Sequence, residues 1–222
     1  IQFFKSHEVV SNNNPVQEIF TSSGTTGMIT SKHLVTDISI YEQSYLNAFK
    51  EFYGNVEDYV ILALLPSYLE REGSSLIYMV KDLIELSNQP ESGFYLNDYE
   101  TLIQQLKSLE TEGKNVMLFV VTYALLDVIE KEKLQLSNTI IMETGGMKGK
   151  RREMIREELH AQLTDGFGVK TIHSEYGMTE LLSQAYSFGE GIFQCPPWMQ
   201  ILTRDVEDAL TYVENGKTGG IN

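Results

Sequence analysis

The chain has 222 residues, a formal net charge of −14, 42% hydrophobic and 22% charged residues. That is ordinary globular composition, with length enough for a sizeable core. The negative charge argues against nucleic acid or an anionic membrane as main partner, because both require a positive surface; an acidic surface also simply serves solubility. A single cysteine, Cys195, permits no disulfide within the chain and fits a cytoplasmic location. No apolar run approaches the ~18 residues of a membrane span, and no signal peptide is visible. The chain opens at Ile1 in an apolar stretch, IQFF, and closes on GKTGGIN, which reads as a turn leading onward. Both ends suggest a piece of a longer protein.

The first unusual stretch is FTSSGTTGMITSKH, Phe20 to His33. Glycines at Gly24 and Gly27 let backbone amides approach an anion, and hydroxyls at Thr21, Ser22, Ser23, Thr25 and Thr26 add donors. The spacing is not that of a Walker P-loop. A flexible polar linker has the same composition. A helix is expected over Asp37–Phe52. Asp58–Leu65 (DYVILALL) reads as a buried strand, and Ser74–Ser87 as a helix capped by Ser74 or Ser75. A short strand at Gly93–Leu96 leads into a helix over Asn97–Glu110, with Leu102, Ile103, Leu106 and Leu109 on one face. Asn115–Val121 is a strand and Thr122–Leu134 a helix. Thr139–Met142 is a strand, Lys150–Leu163 a helix and Val169–His173 a strand.

Short apolar strands alternating with amphipathic helices predict an α/β fold, a largely parallel sheet flanked by helices. After about Ser187 the texture changes. Gly189, Gly191, Pro196 and Pro197 break the pattern, and Met199–Thr203 with Leu210–Glu214 read as antiparallel strands, Asn215–Lys217 forming a turn. We therefore expect an α/β core over residues 1–187 and a short antiparallel, β-rich part of the same domain over 188–222. Ligands of parallel sheets sit beyond the carboxyl ends of the strands. The loops to watch are LPSYLEREG (Leu65–Gly73), ETGGMKGK (Glu143–Lys150) and SEYGMTE (Ser174–Glu180).

In SEYGMTE, Tyr176 offers a flat ring, Gly177 a tight turn, Thr179 a hydroxyl and Glu180 a carboxylate. A carboxylate beside phosphates requires a cation between them, most often Mg²⁺. The plainer reading is a turn at a helix N-terminus, where Glu180 favours the dipole.

Together, the FTSSGTTG and SEYGMTE loops, with an α/β pattern between, resemble the phosphate-binding and adenine/Mg²⁺ motifs of the adenylate-forming superfamily. That superfamily includes acyl-CoA ligases, firefly-type luciferases and peptide-synthetase adenylation domains. LPSYLEREGSSLIYM and CPPWM resemble its LuxE-type acyl-protein synthetases, a branch related to phenylacetate-CoA ligases. The resemblance covers nearly the whole chain. It implies that ATP and Mg²⁺ are the cofactors and that the substrate is a carboxylic acid, fatty acyl in this branch. It implies an acyl-carrier protein or acyl reductase as partner, and no nucleic acid or membrane span. By resemblance, Thr21, Ser22, Ser23, Gly24, Thr25, Thr26 and Gly27 clasp the phosphates. Gly145, Gly146, Tyr176 and Gly177 line the adenine and acyl pocket. Thr179 contacts the α-phosphate, and Glu180 holds the metal.

The chain departs from the family pattern. An additional Ser stands beside Gly24, MITSK replaces the usual xPKG, and Ser174 replaces an asparagine. The family's ribose-binding aspartate, its mobile C-terminal domain with the catalytic lysine, and the acyl-accepting cysteine fall beyond Asn222, so this stretch is expected to fold but to turn over poorly. A phenylacetate-type CoA ligase and a catalytically lost nucleotide-binding module remain the alternatives. Cys195, in FQCPPWM, reads as a structural thiol rather than a nucleophile, and His173 as a core histidine. Lys148, Lys150, Arg151 and Arg152 read as a solvated first helical turn, or as a patch for polyphosphate or an acidic carrier.

Overall fold

The computed structural model describes residues 2–22, 29–65, 73–208 and 210–221. Its centre is a seven-stranded sheet. In chain order the strands are β3 (Val60–Leu64), β4 (Gly93–Phe94), β5 (Val116–Val121), β6 (Thr139–Thr144), β7 (His173–Tyr176), β8 (Ala185–Ser187) and β9 (Phe193–Gln194). Their spatial order is β4-β3-β5-β6-β7-β8-β9. The first five pair in parallel, and β8 and β9 add antiparallel strands at the far edge. Every residue of β3 and β5 is buried. Strands covered on both faces need apolar side chains at every position, so these runs were legible in the sequence.

The helices are α1 (Gln2–Ser6), α2 (Ser39–Tyr53), α3 (Ser75–Ser87), α4 (Tyr99–Glu112), α5 (Thr122–Lys131) and α6 (Arg156–Phe167). Ser74 caps α3 by accepting from the Ile77 amide, and Asp98 caps α4 by accepting from the Thr101 amide. The α4 stripe of Leu102, Ile103, Leu106 and Leu109 is buried as expected. Helix α2 covers one face of the sheet, where the Tyr53 hydroxyl meets His173 Nδ1 at 3.2 Å. Helix α6 covers the other, where Arg156 Nη1 donates to Ser174 Oγ at 2.9 Å. Neighbouring residues on a strand point to opposite faces, so β7 serves both layers.

Several expected boundaries move. The helix expected over Lys150–Leu163 is Arg156–Phe167: Ile155 is extended, with φ −69° and ψ 147°, so the helix begins only after it. Helix α5 stops at Lys131 rather than Leu134. Leu134 and Leu136 instead donate their amides to the carbonyls of Gly166 and Phe167, satisfying the end of α6. The strand expected over Val169–His173 is His173–Tyr176, so the tyrosine motif itself is strand. Near the C-terminus the pair expected as Met199–Thr203 with Leu210–Glu214 is instead β10 (Thr203–Arg204) with β11 (Gly220–Ile221). Tyr212 contributes one bridge to Arg204, and the Asn215–Lys217 turn closes through the Lys217 amide and Glu214 carbonyl.

Candidate functional site

The strands that lead into the expected loops end on one side of the sheet. Val121 pairs with Thr144, and Thr144 with Glu175, so β5, β6 and β7 end almost level. Gly145 leaves β6 with φ 73°, a conformation glycine adopts without steric cost. Its carbonyl accepts from Thr122 Oγ1 at 3.3 Å, which anchors the turn to the start of α5. A Cβ at Gly146 would meet nothing within 4 Å, so the strand end opens into free space. Gly177 emerges beside this turn.

The strands on either side of the hydroxyl loop, β1 (Glu18–Thr21) and β2 (Lys32–Val35), pair antiparallel, and neither was expected from the sequence. Phe20 is buried against the rings of Tyr41 and Tyr78. The hairpin stays zipped to Ser22: its amide donates to the Ser31 carbonyl at 3.1 Å, and the Ser31 amide donates to Ser22 Oγ at 2.9 Å. Ser23, Gly24, Thr25, Thr26 and Gly27 lie outside the described residues, as does 66–72 of the LPSYLEREG loop. The Thr21 amide donates to the Gly73 carbonyl at 2.7 Å, where that second loop returns. His33, on β2, places Nδ1 3.0 Å from the Thr179 carbonyl. The base of the hydroxyl loop therefore touches both the β3–α3 connection and the tyrosine loop.

In the tyrosine loop, the Tyr176 hydroxyl donates to Met178 Sδ at 3.2 Å, and its ring meets Phe193 edge-on. A turn closed by the Leu181 amide and Met178 carbonyl presents Thr179 and Glu180, both half-buried.

Two polar groups beside these loops escaped the sequence reading as functional candidates. Glu143, buried at the end of β6, accepts from Thr122 Oγ1 at 2.8 Å and from Ser174 Oγ at 3.2 Å. The Glu143 oxygen that takes the Ser174 bond, Oε2, also lies 3.0 Å from His160 Nε2 and 3.4 Å from Arg156 Nη1. Burial pushes the Glu143 carboxyl up, but hydrogen bonds from His160 and Thr122 and the charges of His160 and Arg156 outweigh it and hold it below the ordinary range. On the opposite face, burial pushes Glu175 up to about 7. The available signal was a carboxylate at the end of an otherwise apolar strand, as in IIMETGG: such a group must find partners elsewhere.

The remaining candidates resolve into structure. Cys195 is partly buried and burial raises its thiol, the reverse of an activated nucleophile. His173 packs edge-on to Phe188, and burial keeps it toward neutral. Arg151 is not in a first helical turn; it forms ion pairs with Asp127 and Glu130. A cleft of about 460 Å³, lined by Arg151, Arg152, Leu126, Met154 and Ile155 among others, contains none of the residues expected to hold the nucleotide or the metal.

Among the described residues, no group of three or more His, Cys, Asp or Glu side chains could hold a metal alone, and no helix is long and apolar enough to cross a membrane. No family model matches the chain, and no curated protein matches it.

Proposed function

We propose that this chain is the nucleotide-binding core of an ATP-dependent acyl-activating enzyme of the LuxE type, which forms acyl-AMP from a fatty acid and passes the acyl group to a protein thiol. The observation that supports this most is the hydrogen bond from His33 to the Thr179 carbonyl, which joins the base of the hydroxyl loop to the tyrosine loop at the carboxyl end of the sheet. Had the two loops lain at opposite ends, one nucleotide could not have reached both.

In the proposed reaction a carboxylate oxygen attacks the α-phosphorus of ATP, the bond to the bridging oxygen breaks, and pyrophosphate leaves. A thiol then displaces AMP. The first step needs alignment and charge neutralisation rather than a protein nucleophile. The hydroxyls of Thr21 and Ser22, with the amide and hydroxyl donors of Ser23 to Gly27, bind the phosphates, Thr179 orients the α-phosphate, and Tyr176 offers its ring to adenine. Mg²⁺ fits this donor set. With Glu180 as the carboxylate beyond the end of β7, the protein would supply a single ligand, in keeping with this ion's usual reliance on substrate phosphates and water. When bound it neutralises phosphate charge.

The test is carboxylate-dependent exchange of labelled pyrophosphate into ATP, run on the full-length protein over a panel of acids. Exchange that requires a medium- or long-chain acid, followed by acyl label on protein, is the expected result. Absence of exchange with every acid, together with no ATP binding, sinks the proposal.

A further inference from the structure

One partly buried carboxyl has no part in the chemistry just described. Glu175 lies on the α2 face of β7, between Thr144 of β6 and Tyr186 of β8 in the strand register. Its carboxyl accepts from the Thr144 hydroxyl and faces the phenols of Tyr41 and Tyr186. It also turns back beneath the loop. A Cβ on Gly177 would come within 2.6 Å of Glu175 Oε1, and within 3.7 Å of Gln184 Cγ. Gly177 is the residue that leaves room for this carboxyl beside Gln184.

Gln184 begins a chain of hydrogen bonds. Its Nε2 donates to the Tyr41 hydroxyl at 2.9 Å, and that hydroxyl donates to the Ser75 carbonyl at 3.0 Å. Ser75 opens α3, next to Ser74 and Gly73, and the Gly73 carbonyl receives the Thr21 amide at 2.7 Å. The chain thus runs from behind the tyrosine loop, across α2, to the hydroxyl hairpin. One end is open. Gln184 Oε1 is buried and finds no hydrogen-bond donor among the described residues.

A buried amide oxygen is costly without a donor. Glu175, whose carboxyl shares the space behind Gly177 with the Gln184 side chain, supplies a donor there only as the neutral acid, because a carboxylate is acceptor-only. The surroundings favour that form. No cation among the described residues opposes a charge there; burial raises the carboxyl and only the Thr144 hydroxyl lowers it. The titratable groups facing it are Tyr41 from α2 and Tyr186 from β8, and burial keeps both phenols protonated through neutral pH.

We propose that Glu175 is a positioning residue: as a neutral acid it donates to Gln184 and completes the hydrogen-bonded chain that holds the tyrosine loop to the hydroxyl hairpin. This deepens the nucleotide-site reading and rests on it only for the consequence that nucleotide binding weakens as Glu175 ionises.

The experiment compares the 222-residue chain with Glu175→Gln and Glu175→Ala from about pH 5.5 to about 8.5. Amide exchange of residues 176–181 is measured, corrected for the intrinsic pH dependence of exchange, and affinity for a fluorescent ATP analogue is read in parallel. In the parent chain, loop protection is expected to fall several-fold across neutrality. In Glu175→Gln, whose side-chain N–H replaces the acid O–H at every pH, protection stays level. In Glu175→Ala it is low throughout. A parent profile level across neutrality, or a Gln variant that follows the parent, overturns the proposal. Nucleotide affinity that tracks loop protection supports both readings. Loop protection that titrates as expected, with no nucleotide bound at any pH, supports the role of Glu175 and sinks the nucleotide site.

Discussion

His33 Nδ1 and the Thr179 carbonyl meet at 3.0 Å although 146 residues separate them in sequence. A carbonyl only accepts, so the imidazole carries its proton on Nδ1. The ring is held from the other side by an edge contact with Phe4. His33→Phe keeps a ring at that position and deletes the donor. We expect a loss of about 1 kcal/mol, the net worth of an ordinary hydrogen bond, seen as a melting temperature lower by about 2–4 °C. ATP-analogue affinity should fall with it. Unchanged melting and unchanged affinity would show that other contacts hold hairpin and loop together.

Glu180 sits half-buried at a turn, so removing its charge strands no buried partner. Glu180→Gln should leave stability within about 0.5 kcal/mol of the parent. Pyrophosphate exchange at limiting Mg²⁺ should fall on the order of 10²-fold, the usual consequence of losing a group that acts on transition-state charge. Parent-like exchange would place the metal elsewhere.

Glu143 has the opposite profile, structural before functional. Glu143→Leu leaves His160 and Arg156 without their shared carboxylate. Losing one partner of a buried pair costs about 3–5 kcal/mol, and the half-exposed Arg156 argues for the lower end. The carboxyl is held below its ordinary value of 4.5 in the fold. Its contribution is therefore complete above 4.5 and disappears as pH falls through the folded value. Urea midpoints of the parent should drop on acidification more steeply than those of Glu143→Gln.

Glu175 should act with the reverse sign. Its carboxyl rises from 4.5 to about 7 on folding, so the folded state binds the proton more tightly than the unfolded chain. Its contribution is complete below 4.5 and is lost as pH rises from there to about 7, a change of at most about 3 kcal/mol. Glu175→Gln should remove that slope and gain stability relative to the parent with rising pH. Denaturant titrations at closely spaced pH values would read it, and parallel curves for the two proteins would exclude a buried acid here.

What the sequence determined by itself was local. The apolar runs of β3, β5 and β6 declare buried strands, Ser74 declares a helix start, and the 3.6-residue stripe of α4 declares its inner face. Each is a property of adjacent or nearly adjacent residues, and from them the α/β class and the loops to watch followed. The strand order was not local: β3 sits between β4 and β5, which only the tertiary structure decides. Nor was the boundary of β7, whose polar His173–Tyr176 is held as strand by pairing with β6 and β8 rather than by its own pattern. The same holds for Glu143, Glu175, Gln184 and His33. A polar group inside a fold is stable only when donors and acceptors reach it from other elements, and those partners are brought within hydrogen-bond range by packing, at distances along the chain that no periodicity records.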